Sequence, residues 1–306
     1  MLPEILYRIE GLYDMKITAI IRLLRPDNWV KNGVVLGGLI FGGMATHVPS
    51  LGRAFLALGV FCLLSSLVYI INDLKDREND RAHPTKRFRP LAAGEISPKI
   101  ALLTALIIGL AGAGGSLYLG ASFGLAALCY VILNIGYTYY FKQMVIIDVM
   151  VIAVGFVVRA WAGALAINVD FDAGLFIMTF LLALFLGFGK RRHELALLGK
   201  DEAGSHRFTL ESYSPYLLDQ LIGVVTAAVA VTYILYVTSP EVQLKLGTDH
   251  LWITFPFVLY GIFRYLYLVH HENQGGSPTQ VLLTDRPIIL SVALWLIVVF
   301  FLLYKF

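Results

Sequence analysis

Apolar residues in this chain do not alternate with polar ones; they gather into long runs separated by short polar breaks. Nine runs are legible, near residues 33–48, 53–71, 100–119, 122–141, 147–167, 173–189, 217–238, 251–270 and 287–304. A helix rising 1.5 Å per residue crosses a hydrocarbon core of ~30 Å in about twenty residues. The period-two pattern of membrane-barrel strands is absent. The pattern predicts an all-α fold, a polytopic bundle of nine transmembrane helices forming a single integral membrane domain over residues 1–306.

Before the first run, Ile5, Ile9, Leu12, Ile17, Ile20 and Leu24 roughly follow helical spacing, while Glu4, Glu10 and Asp14 interrupt any apolar core. This is not the pattern of a cleaved signal peptide; it predicts an interfacial amphipathic segment within residues 1–32. Composition agrees with a membrane protein, with 58% hydrophobic and 15% charged residues. Cys62 and Cys129 fall inside apolar runs, where isolated thiols are expected to be small core residues rather than a disulfide or metal site.

The distribution of charge adds an orientation. Of the 24 Lys and Arg residues, 20 fall on the side that holds the amino terminus and the two long polar segments, 72–99 and 190–216. By the positive-inside rule that side is cytoplasmic, in the cell membrane, and the carboxyl terminus faces outward. Outer connections such as "GASF" and "NVDFD" are short, so chemistry is expected at the cytoplasmic face, in those two segments.

The segment "NDLKDRENDRAHPTKRFRP", residues 72–90, holds ten charged side chains and a histidine. Asp73, Asp76 and Asp80 are spaced three and four apart, which on a helix sets the three carboxylates within about 60° of one face. Such like charges repel unless a cation compensates. A divalent ion would do so, and hard carboxylate oxygens suit Mg2+ bridging to substrate phosphates; Asn72 adds a neutral oxygen at the membrane end. The alternative is a solvated segment whose acids pair with Lys75, Arg77 and Arg81. Lys86, Arg87 and Arg89 follow and suit phosphate oxygens, or else anchor to lipid headgroups.

Three further features point to the same face. Arg25, Asn28 and Lys31 immediately precede the first run. "GKRRHE" after the sixth brings Lys190, Arg191, Arg192, His193 and Glu194. The fifth run opens at Asp148 and contains Arg159 eleven residues later, three turns along one face and about 16 Å deeper. An arginine at that depth is a functional candidate, or a structural partner of a buried acid or carbonyl. Acids and bases together fit a metal–diphosphate complex at the mouth of a bundle.

"NDLKDREND", with the pattern N-D-x-x-D-x-x-x-D after the second of nine spans, resembles the UbiA superfamily of intramembrane prenyltransferases. The resemblance implies a helical bundle with a central cavity open to the cytoplasm and, at the side, to lipid; it implies Asp73, Asp76 and Asp80 as catalytic metal–diphosphate ligands. Most members carry a second aspartate-rich motif after the sixth span, where this chain reads "GKRRHELALLGKDE". In that departure, and in "RPDNWVKN", "HPTKRFRPLAAGEIS" and "IIDVMVIAVGFVVRAWAGA", the chain resembles the decaprenyl-phosphate phosphoribosyltransferase branch. That branch implies phosphoribosyl pyrophosphate as donor, a polyprenyl phosphate as acceptor and Mg2+ as cofactor, on the way to lipid-linked arabinose for cell-envelope arabinan. Substrate contacts are then expected from Arg25, Lys31, Asn72, Lys86, Arg87, Asp148, Arg159, Lys190, Arg191, Arg192 and Glu194. Expected partners are those two substrates and membrane lipids, with no nucleic acid; a homo-oligomer is compatible with the pattern. The ordinary family reaction, transfer of a polyprenyl diphosphate to an aromatic acceptor, is the alternative, and a transporter or lipid-phosphate binder lacking turnover is a third.

Overall fold

A computed structural model of the chain describes residues 17–206, 210, 212–271 and 278–304, with the backbone alone for 197–206 and 279. Among the described residues it is all helix with no strand, and eight helices are long and apolar enough to cross a membrane. In order these elements are α1 (17–24), a 3₁₀ helix Pro26–Leu36 continuing into α2 (Gly37–Phe41), α3 (Val48–Ala82), α4 (Pro98–Leu119), α5 (Ala121–Tyr139), α6 (Ile147–Ala166) and α7 (Ala173–His206). There follow α8 (Pro215–Thr238), the short α9 (Pro240–Leu246), α10 (Phe255–His271), α11 (Pro278–Thr284) and α12 (Arg286–Tyr304).

The first expected span, 33–48, needs correction. The chain enters the bundle earlier, at Pro26, winds as a 3₁₀ helix to Leu36, and leaves helix at Phe41; Val48 already belongs to α3. The expected interfacial segment is described only from residue 17, so Ile5, Ile9 and Leu12 lie outside the described residues; α1 buries Ala19 and Leu23 against α3 and leaves Ile17 and Ile21 exposed. Residues 272–277 are likewise outside them. The two polar segments also differ from the expected loops. Their first parts are helical, because α3 runs 35 residues and α7 runs 34, about 50 Å each at 1.5 Å per residue. Each outruns a ~30 Å core by more than ten residues, and the surplus carries the charge.

The two ends of the bundle are tied differently. At the end away from the charge, Arg53 of α3 donates from Nε to Ala166 O (2.5 Å) and from Nη2 to Leu119 O (2.7 Å), capping α6 and α4 together. At the charged end, residues 83–97 fold back on α3: Leu91 and Ile96 are buried beside Leu23 and Ile70, and Arg77 and Arg81 hold the carbonyls of Leu91 and Ala92. Ser97 then caps α4, with Pro98 in its first turn.

Between the ends, packing rests on small residues, as expected where lipid gives helices no hydrophobic reason to associate. The approach is closest at Gly163 of α6, where a Cβ would lie 1.8 Å from Val35 O. Only glycine lets the Pro26–Phe41 segment lie backbone to backbone on α6. One apolar cluster joins the 3₁₀ helix, α2, α3, α5 and α6 through Val35, Leu39, Phe61, Tyr130 and Ala162. A second joins α6, α7, α8, α10, α11 and α12 through Val149, Phe185, Ile222 and Leu268. Cys62 is half-buried and free; Cys129 is free and exposed on the outer face of α5, so the expectation of two core thiols holds for neither completely.

Candidate active site at the charged mouth

Asp73 leads the site because it is almost wholly buried (2% exposed) at the point where α3 leaves the core. A carboxylate buried that far needs cationic partners, and it has two. Arg25 donates from Nη2 to Asp73 Oδ1 at 2.5 Å, and Arg89 from Nη1 to the same oxygen at 3.2 Å. Arg89 Nη1 also reaches Asp80 Oδ2 at 2.6 Å. Arg25 sits in a left-handed conformation (φ 53°) just before Pro26. A non-glycine residue there is strained; its guanidinium lies over the ring of Tyr69 at 5.1 Å and reaches Asp73.

Asp76, one turn beyond Asp73, receives Lys142 Nζ at 2.6 Å, which joins the end of α5 to α3. Asn72 Oδ1 accepts from Thr138 Oγ1 at 3.3 Å. The three aspartates therefore share a face, as their spacing requires, but each oxygen named here is held by a protein cation. Among the described residues, no group of three His, Cys, Asp or Glu side chains is placed to hold a metal ion. The donor chemistry fits a hard divalent ion: three anionic oxygens on one helix face, two of them tied through a single shared arginine. Binding such an ion requires Arg25, Arg89 and Lys142 to share or yield those oxygens.

The basic run on α7 is placed differently from the expectation of open phosphate contacts. Arg191 is 2% exposed and donates from Nε to Asp148 Oδ2 (3.0 Å) and from Nη1 to Glu194 Oε2 (2.7 Å). Asp148, fully buried at the start of α6, also accepts from Tyr213 OH at 3.1 Å. That hydroxyl in turn accepts from Ile146 N at 2.7 Å. Burial, reinforced by the Asp148 carboxylate, holds the Tyr213 phenol well above its usual range, so it stays a donor. Lys190 Nζ lies 3.7 Å from Glu194 Oε1, and Arg192 Nε donates to Asp219 Oδ1 at 2.8 Å. Thus Asp148, Arg191 and Glu194 form a knot that sets the α7 extension against α6. Lys86 is half-buried and Arg87 exposed, its guanidinium over the ring of Phe88 at 4.9 Å.

Arg159 lies deeper, as its spacing from Asp148 requires, with its guanidinium against Tyr130 OH (2.7 Å) rather than an acid. Lys31 Nζ donates to Asn28 Oδ1 at 2.5 Å. Sequence reasoning passed over Lys142, Tyr213 and Tyr130, and placed Arg89 only among the phosphate-seeking cations. Pro84 and Pro90 signal that the helix breaks after α3, but not which cation returns to Asp73; the tyrosines gave no signal. Far from the mouth, an apolar recess of about 330 Å3 lies between Ile40, Ala45 and the α12 residues Leu296, Phe300 and Tyr304.

Comparison with known proteins shows the family and the fold. The model of the UbiA prenyltransferase family matches residues 34–284. A decaprenyl-phosphate phosphoribosyltransferase from Corynebacterium glutamicum is 32% identical over 286 residues, covering 90% of this chain and 83% of the relative. One of the same name from Mycobacterium tuberculosis is 28% identical and covers 92% of each chain. Among solved structures, a UbiA homolog from Archaeoglobus fulgidus bound to GPP and Mg2+ superposes with a TM-score of 0.70 at 22% identity, covering 94% of this chain and 99% of that one.

Proposed function

The chain belongs to the UbiA prenyltransferase family, and from that premise we propose that it transfers the 5-phosphoribosyl group of phosphoribosyl pyrophosphate to a polyprenyl phosphate, releasing pyrophosphate. The relatives named decaprenyl-phosphate phosphoribosyltransferase, which match about nine-tenths of the chain, support this reading over the less specific prenyltransferase one. The observation that carries it in the site is the mouth end of α7. Where a second acidic diphosphate motif is expected, the chain has Lys190, Arg191 and Arg192, with acids brought in only to pair them.

The reaction asks little covalent chemistry of the protein. An oxygen of the acceptor phosphate forms the bond to the anomeric carbon, and the bond from that carbon to pyrophosphate breaks, its electron pair leaving with pyrophosphate. The nucleophile is already anionic, so no general base is required. The demand is electrostatic: charge gathers on the leaving group and must meet fixed cations. Arg25, Arg89 and Lys142, held to the aspartates at the mouth, supply three. A bound Mg2+ would be held by Asp73, Asp76 and Asp80 and would supply Lewis-acid neutralisation of the pyrophosphate. Lys86 and Arg87, on the fold-back segment, are further candidates for the pyrophosphate oxygens, and Asn72 precedes Asp73 on the membrane side. Lys190, Arg192 and Glu194, at the mouth end of α7, suit the sugar's phosphate and hydroxyls. A cytoplasmic orientation of this mouth follows from the charge asymmetry, and the apolar recess beside α12 suits a prenyl chain lying in the bilayer.

The test is direct. Purified protein with Mg2+, labelled phosphoribosyl pyrophosphate and decaprenyl phosphate is expected to move label into the organic phase, and to stop with EDTA or Asp73→Asn. Turnover of a prenyl diphosphate on an aromatic acceptor, with no sugar transfer, would replace this reading by the ordinary family reaction.

A further inference from the structure

Beneath the mouth the bundle holds two cations that it does not neutralise. Arg159 is 6% exposed; its Nη2 donates to Tyr130 OH, and its guanidinium carbon stands 4.6 Å from the Tyr130 ring centre and 5.0 Å from that of Phe156. Its Nε is buried with no hydrogen-bond partner. Among the described residues no carboxylate lies at ion-pair distance from it. Lys31 is the same in this respect: it has Asn28, while Asp27 is exposed and acts on it only from further off. Val35 lies backbone to backbone on Gly163, and Lys31 and Arg159 each stand four residues before that contact on two segments that both run inward from the mouth, which brings them to neighbouring depths on facing segments. Asn32, wholly buried beside them, spends its Nδ2 on Ser65 Oγ at 3.1 Å.

The contrast with the mouth is instructive. Arg25, Arg89, Lys142, Arg191 and Arg192 each have a carboxylate. Arg53, at the far end, is satisfied by two helix carbonyls. Lys31 and Arg159 alone in this group repel each other at a depth where unpaired charge is costly. An arrangement of that kind stands ready for an anion. Two cations match a dianion, and a phosphomonoester, with a second pKa near 6, carries about −1.5 to −2 at neutral pH; an ordinary phospholipid diester carries only one charge.

We propose that Lys31 and Arg159 form a buried subsite for a terminal phosphomonoester dianion. The charge argument stands on the structure; the two sources of that group rest on the proposed reaction, whose acceptor lipid phosphate and donor 5-phosphate are both phosphomonoesters. The experiment that separates them measures thermal unfolding in detergent with Mg2+, titrating decaprenyl phosphate alone and phosphoribosyl pyrophosphate alone, on wild type, Lys31→Gln and Arg159→Gln. Both variants are expected to weaken one of the two ligands by roughly 10- to 100-fold and leave the other within about twofold. The ligand weakened identifies the source. The ligand-free melting temperature of either variant should stay level or rise, because each removes a charge that no opposite charge offsets. Unchanged affinity for both ligands, or equal stabilisation of wild type by phosphatidylglycerol, overturns the subsite. If decaprenyl phosphate binds through these two residues but no sugar is transferred, the reaction falls and the subsite stands.

Discussion

Replacing Asp73 by asparagine and, separately, Asp76 by asparagine should separate two roles that the sequence pattern gives equally to both. Asp73 is 2% exposed and compensates Arg25 and Arg89, whose side chains are 18% and 26% exposed. Breaking a fully buried pair costs about 3–5 kcal/mol, but here the loss is partial. Arg89 keeps Asp80 at 2.6 Å, Arg25 keeps the face of Tyr69, and both retain some water. A cost of about 2 kcal/mol follows, which at roughly 2–4 °C per kcal/mol lowers the melting temperature by about 4–8 °C. The Asp76–Lys142 pair is about a fifth exposed on each side, so its loss costs at most about 1 kcal/mol. Both changes remove a carboxylate from the same face and should lower sugar transfer by about 100-fold or more. Melting in detergent and label transfer to decaprenyl phosphate check both halves. Full activity in either purified variant would refute the placement of the metal–diphosphate face. Equal destabilisation of the two would refute the claim that burial sets the difference.

Other expectations follow from single contacts. Gly163→Ala would drive a Cβ to within 1.8 Å of Val35 O, whereas at Gly155, on the same helix, the nearest atom lies 3.9 Å away; the first should fail to fold or melt far lower, and the second should melt level or higher, and the reverse order would be decisive against the close backbone contact. Tyr213→Phe strips one partner from buried Asp148 and leaves Ile146 N unpaired; a loss of about 1–3 kcal/mol is expected in detergent melts, and an unchanged melt would show that the knot does not need the hydroxyl. Asp285, held by the Arg264 guanidinium and by Ile288 N, has its carboxyl below the usual carboxylate range. That pair therefore stabilises fully above a pH of about 4 and is lost as pH falls through the lowered value. Asp285→Asn should flatten the acid limb of the stability profile, and an identical acid limb would remove Asp285 from it.

How much of this could be read from the chain depends on the kind of signal. Helix number and class came from run length, a property of the solvent as much as of the sequence, and eight of the nine runs became helices of span length. The face shared by Asp73, Asp76 and Asp80 follows from 3.6 residues per turn alone. What was illegible is pairing. Nothing in the spacing tells that Arg89 returns to Asp73 while Arg87, two residues earlier, stays on the surface; that depends on the fold-back held by Leu91 and Ile96. Arg191 and Arg192 are neighbours in sequence, yet a rotation of about 100° sends one to buried Asp148 and the other to half-exposed Asp219. Helix ends were blurred for a related reason, since charged residues beyond the bilayer continue a helix as readily as a loop.

The first span failed in an informative way. Within the 3₁₀ stretch the buried positions are Asn32 and Val35, three apart as the 3₁₀ period requires, while α2 beyond it buries Gly38 and Leu39. At about 2.0 Å per residue, Pro26–Leu36 spans ~22 Å, and Gly37–Phe41 adds ~7 Å. Sixteen residues thus match the thickness that an α-helix fills with twenty, so the segment has the length of the expected ninth crossing in fewer residues. The tight winding also eclipses side chains three apart. Trp29 meets Ser66 and Asn32 meets Ser65 along one ridge, while Asn28 and Lys31 stack along the next, 2.5 Å apart at their polar tips. Arg25 precedes that second ridge and pairs with Asp73, and Arg159 stands on α6 four residues before the Gly163 contact with Val35. Wound as an α-helix, the same residues would fan by about 60° over each three-residue step. The 3₁₀ geometry is therefore what lines the cations up from the mouth toward the interior, and Gly163, by admitting Val35 so closely, is what allows that geometry to pack.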